Sequence, residues 1–103
     1  MAPILRAPEG FTAAGRDGSA FMKWNPVPGA AGYRLFFYSS DDPDTVIKTR
    51  YAQGTSKGIL GFQNKKEYLV EICAYTVKDG KEVPGQRSEK KRFTPGYFAI
   101  QRT

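Results

Sequence analysis

Tyr68, Val70, Ile72 and Ala74 fall on alternate positions of the chain. A period of two puts all four side chains on one face of an extended strand, whereas a helix would scatter them around its circumference. Trp24 and then Gly32-Tyr33 precede this stretch, with Phe62 six residues before Tyr68. No segment sustains apolar residues at helical spacing over three turns, and 11 glycines and 7 prolines interrupt the chain throughout. The pattern constrains architecture strongly and chemistry hardly at all.

Short β-branched and aromatic runs between turn signals every ten residues or so read as an antiparallel sandwich. The first strand is expected within Ala7–Ala14, with Phe11 in the core. Arg16-Asp17-Gly18 marks a tight turn, because Asp-Gly accepts the positive φ that a hairpin needs. A second strand over Ser19–Asn25 turns Ala20, Met22 and Trp24 to one face, and Pro26 and Pro28-Gly29 end it. A third over Gly32–Ser39 alternates Tyr33, Leu35 and Phe37 with Arg34, Phe36 and Tyr38, so both of its faces carry apolar side chains. Asp41-Asp42-Pro43-Asp44 is expected to form a polar turn before a fourth strand over Thr45–Tyr51, and a short fifth centres on Ile59 within Ser56–Gly61. Lys66–Val77 is the sixth and longest. Lys78-Asp79-Gly80-Lys81 signals a hairpin turn extended through Val83-Pro84-Gly85, and Arg87–Thr94 is the seventh strand. Its Lys90, Lys91 and Arg92 suit a sheet edge, where charge discourages pairing with a second molecule, and a monomer is expected.

A chain of 103 residues fits one domain, and 40% hydrophobic with 14% aromatic residues suffices for a packed core. No run approaches the roughly 20 apolar residues of a membrane helix, and no membrane insertion is expected. The net charge of +6 permits attraction to acidic partners, although scattered charge also serves solubility. One cysteine, Cys73, cannot form an internal disulfide and leaves the compartment unmarked. The start at Met1 without a secretory signal fits either a cytosolic protein or a piece of a larger one, and the piece is the preferred reading.

Taken together, these residues resemble a fibronectin type III domain over residues 8–95, with residues 1–7 as a lead-in and 96–103 as a linker stub or tail. Trp24 matches the core tryptophan of the second strand, and Ala31-Gly32-Tyr33-Arg34-Leu35 is similar to the third-strand entry. Phe62 lies where a leucine usually precedes the tyrosine corner, and Tyr68-Leu69-Val70-Glu71-Ile72-Cys73-Ala74-Tyr75 is similar to the sixth strand. The Gly-Tyr strand and the Lys-Asp-Gly-Lys hairpin are closest to bacterial members. Phe62 in place of leucine and Lys91 in place of an aliphatic residue depart from the pattern. The resemblance implies an all-β, seven-stranded antiparallel immunoglobulin-like sandwich with Trp24, Tyr33, Leu35, Phe62, Tyr68, Val70 and Ile72 in its core. It also implies that the Tyr68 hydroxyl bonds to an upstream backbone group.

Catalysis is not expected. The chain has no histidine, so the commonest general base is missing and Cys73 has nothing to activate it. By parity Cys73 points away from the core and reads as a partly covered small side chain, less plausibly as a surface thiol for intermolecular pairing. Asp41, Asp42 and Asp44 lack the glycine and distal glutamate of a calcium loop, and turn chemistry explains them better. No metal or cofactor is expected. Gly15-Arg16-Asp17-Gly18 and Pro84-Gly85-Gln86-Arg87 do not spell the Arg-Gly-Asp motif that integrin binding in this family requires. What stands above background is the outward face of the sheet built from the third, fourth, sixth and seventh strands. Phe36, Tyr38, Leu69 and Tyr75 point outward there by parity, and Arg34, Lys90 and Arg92 can rim them. Exposed aromatics beside arginine are typical of recognition surfaces, but cross-strand pairing, a neighbouring domain or the Tyr97-Phe98 tail would equally account for them. Basic and aromatic residues also interleave, but a nucleic-acid partner is not expected for this fold.

The expected role is a non-catalytic module of a larger, secreted or cell-surface protein. It would act as a spacer between neighbouring domains and as a contact for protein or anionic glycan. The alternatives are a dedicated binding module using Phe36, Tyr38 and Tyr75, or an intracellular scaffold module.

Overall fold

The computed structural model describes residues 4–96. Two Asp-Gly pairs form two-residue hairpin turns. Asp17-Gly18, with Gly18 at φ 64°, joins β1 (Thr12–Arg16) to β2 (Ser19–Lys23). Asp79-Gly80, with both residues in the left-handed region, joins β6 (Tyr68–Lys78) to β7 (Lys81–Arg87). In the Asp79-Gly80 turn, positive φ at both central positions matches the right-handed twist of the flanking strands. The other strands are β3 (Gly32–Ser39), β4 (Asp42–Ala52), β5 (Ser56–Leu60) and β8 (Lys91–Phe93).

All pairings are antiparallel and form two sheets, β1-β2-β5 and β4-β3-β6-β7, with β8 also paired to β6. The expected all-β antiparallel sandwich is observed. Its last strand is interrupted, which gives eight segments. Residues 81–87, expected as an extended turn, pair with β6 as β7. Pro84 is tolerated there because β7 is an edge strand and its ladder shifts register between Cys73 and Tyr75. Between β7 and β8, Ser88 exchanges two bonds with Ile72: its N–H donates to Ile72 O, and its hydroxyl accepts from Ile72 N. Two other boundaries move. β1 starts later than expected, after Gly10 turns at φ 67° and Glu9 O accepts from Asn25 N. The polar turn before β4 shrinks to Ser40-Asp41, because β4 begins at Asp42 and absorbs its extra residues as bulges opposite Phe37–Ser39.

The inner faces bury two groups of rings. Trp24 lies between Phe11 and Tyr33, its ring centroid 6.4 Å and 5.4 Å from theirs. At the other end Phe62 touches Phe37, Tyr68 and Phe93 at 5.3, 4.9 and 5.2 Å. Leu35, Val70 and Ile72 fill the middle with no exposure. Tyr68 accepts a 2.9 Å bond from Gln63 N through its hydroxyl, and Tyr33 accepts one of the same length from Val27 N. The two residues that depart from the family pattern both fit. Phe62 completes the ring cluster. Lys91 stands opposite Val70 at the sheet margin, half-buried, where an inward charge hinders a further strand from adding.

Two glycines bring the chain ends close to the sheets. A Cβ on Gly15 would stand 2.2 Å from Thr94 O, and Gly96 N–H donates to Arg16 O. A Cβ on Gly85 would stand 2.7 Å from Leu5 O, which accepts from Gln86 N.

Candidate interaction face

Register across β4, β3, β6 and the last two strands determines which side chains share the outward face. Arg34 lies between Tyr51 and Cys73, with Arg87 beyond Cys73. Phe36 lies between Thr49 and Glu71, and Tyr38 between Val46 and Leu69, with Arg92 beyond Leu69. The outward direction read from parity is therefore right for Phe36, Tyr38, Leu69 and Tyr75. Their exposure to solvent is not: Phe36 is 4%, Tyr38 3% and Tyr75 7% exposed, and Leu69 packs against the same small cluster. Cys73, expected to be partly covered, is fully buried within it, which leaves no surface thiol. Burial pushes the Cys73 thiol pKa up, the Arg34 and Arg87 charges pulling it part of the way back.

The cover is cationic. Arg87 lies over Phe36, 4.0 Å from its centroid, and Arg34 over the same ring at 5.0 Å and over Tyr51 at 5.4 Å. Lys90 sits 4.1 Å from the Tyr38 centroid and donates across the sheet to Pro43 O at 2.6 Å. Such contacts are worth roughly 0.5–1 kcal/mol each near a surface, and the long aliphatic stems bury ring area besides. Arg92 remains exposed beside Leu69. Tyr75 lies across Gly32, where a Cβ would meet its hydroxyl at 2.5 Å, and Tyr51 approaches its ring edge-on at 5.8 Å.

Beneath the cations, Tyr38 donates its hydroxyl to the buried carboxylate of Glu71, and Arg87 donates to both, 2.9 Å to Glu71 and 3.3 Å to Tyr38. Burial first, then the bond to Glu71, pushes the Tyr38 pKa up to about 12. Arg34 pairs with Glu82 at 3.4 Å. Glu71, Arg87 and Tyr51 were not among the expected face residues. A signal for Glu71 existed: it is the one charged residue among the outward positions of β6 from Leu69 to Tyr75. Tyr51, 44% exposed, is the aromatic ring this face shows to solvent.

Elsewhere, Asp17 Oδ1 accepts from Asn64 Nδ2, and Gly18 N donates to Asn64 Oδ1, so the first hairpin turn is held by an asparagine. Among the described residues no three His, Cys, Asp or Glu side chains gather as metal ligands, the Asp41-Asp42-Asp44 stretch included. Tyr97 and Phe98, considered as a cover for the outer face, lie outside the described residues.

The whole sandwich superposes on solved structures of one kind. An Fn3-like protein from Clostridium thermocellum matches 97% of this chain and 100% of its own, at 23% identity and TM-score 0.69. The third fibronectin III domain of the human KIAA0343 protein matches 97% of this chain and 89% of its own, at 18% identity and TM-score 0.72. The fold is that of a fibronectin type III domain. A β-1,2-glucanase from Parabacteroides distasonis matches 97% of this chain over 14% of its own length, at 16% identity and TM-score 0.74. No family model matches the chain. No curated protein matches it either. Trp24 and Tyr68 are both buried between its sheets.

Proposed function

We propose that the chain is a non-catalytic fibronectin type III module of a larger, secreted or cell-surface protein, holding its neighbouring domains apart and meeting protein or glycan through the outward face of its five-stranded sheet. The observation that carries this reading is the glucanase, in which the same fold makes up a small part of a much longer chain. A unit used in that way supplies distance and contact, and fold alone names no ligand. The burial of Phe36, Tyr38 and Tyr75 shifts the contact reading from bare rings to the cations above them, with Tyr51 as the exposed aromatic.

Amide NMR of the isotope-labelled domain, titrated with soluble cell-wall glycans, acidic glycans and peptides, tests the proposal. Saturable shifts clustered on β3, β6 and β7 are expected. A panel that leaves every amide unmoved removes the contact role and leaves the spacer.

A further inference from the structure

The cations on the outward face are held in place before any partner arrives. Arg87 is fixed by Glu71 and by the Phe36 ring beneath it, Lys90 by the Tyr38 ring and Pro43 O, and Arg34 by Phe36, Tyr51 and Glu82. Arg34 and Arg87 flank Cys73 in one cross-strand row, their backbones about 10 Å apart and both guanidiniums converging over the Phe36 ring. Arg92 lies two outward rows further, opposite Leu69, about 13 Å along the strands from the Cys73 row. These four cations share the face with Glu71 and Glu82, and Glu71 is buried with its charge committed to Arg87 and Tyr38. Long side chains normally lose rotamer freedom on binding, and here ring stacking has already restricted three of the four.

Resting on the reading of this face as a contact surface, we propose that Arg34, Arg87, Lys90 and Arg92 form a track for a linear, carboxylate-bearing polysaccharide. The guanidinium fork matches a planar carboxylate, and repeated charges suit a row of fixed cations. The structure disfavours the other polyanions. A peptide adding as a strand beside β7 meets Leu5, whose carbonyl already takes the Gln86 N–H. Nucleic acid finds one exposed ring, Tyr51, and not the run of rings on which successive bases stack in single-strand binding, because Phe36, Tyr38 and Tyr75 are buried. A sugar ring needs only the edge of the track and the exposed face of Tyr51.

Titration calorimetry with an oligogalacturonate tests this, using the wild-type domain, Arg92→Glu, Glu82→Gln and, on the opposite sheet, Lys23→Glu. Arg92 and Lys23 are both exposed, so these two variants change net charge equally without opening the core. Arg92→Glu should weaken binding about 10-fold or more and Lys23→Glu less than about 2-fold, with affinity falling as salt rises. Glu82→Gln frees Arg34 from a competing carboxylate while the Phe36 and Tyr51 rings still hold its guanidinium, and should tighten binding about 2-fold. Equal losses in Arg92→Glu and Lys23→Glu would mean attraction to net charge alone and overturn the track. Binding of polyglutamate through Arg92, with none of the oligogalacturonate, overturns the glycan and leaves the contact surface standing. No binding of either removes both.

Discussion

Trp24 is 4% exposed and wedged between Phe11 and Tyr33, so truncating it opens a void that neither sheet can close. Trp24→Ala should cost about 3–5 kcal/mol, a large share of the 5–15 kcal/mol that holds a domain of this size together. Chemical denaturation should show a strongly lowered midpoint, with the variant unfolded already in water if the domain lies at the low end of that range, and a wild-type midpoint would contradict the core assignment. Tyr38 makes a different kind of contribution. Its folded pKa of about 12 lies above the ordinary 10.0, so the unfolded chain ionises first as pH rises. Stability from this group is whole below about pH 10 and is lost between there and pH 12. Denaturant midpoints measured across that window should fall less steeply in Tyr38→Phe than in the wild type.

At the scale of elements, strands whose alternation places one face in the core were legible. β3 came out at its expected limits, and the inward residues of β2, β5 and β6 are buried as their parity required. What failed was local. Pro84 and the glycine after it read as a turn, because a sequence cannot tell a loop from an edge strand that has a register shift and one side free of partners. The face was legible in direction and illegible in cover. Parity fixes where Phe36 points, but whether Arg87 reaches back over it depends on a break between β7 and β8 that no period announces. Close approach is equally hidden: nothing in the neighbourhood of Gly15 reveals that Thr94 lies against it. Gly15→Val should therefore destabilise the domain by about 1–3 kcal/mol, read as a lowered denaturant midpoint, since the overlap is with backbone and cannot be relieved by a rotamer.

For the whole molecule, each long edge carries a device against adding another strand. β4 has bulges, Pro43 and an inward Lys48, whose ammonium donates to the carbonyls of Leu60 and Gly61, and β7 has Pro84 with Leu5 beside it. Sedimentation should accordingly show a monomer at concentrations up to about 100 µM, with a concentration-dependent dimer counting against these edge assignments. The chain ends are held differently from the body: the entering segment by Gln86 N–H on Leu5 O, the leaving one by Gly96 N–H on Arg16 O and Lys65 N–H on Pro95 O. A module pulled from both ends therefore has a built-in slack. Tension would first load these few bonds, and the entering segment could then lengthen only as far as Glu9 O, bonded to Asn25 N, and Phe11, buried beside Trp24, allow. Under light load the ends would thus give before the two sheets part.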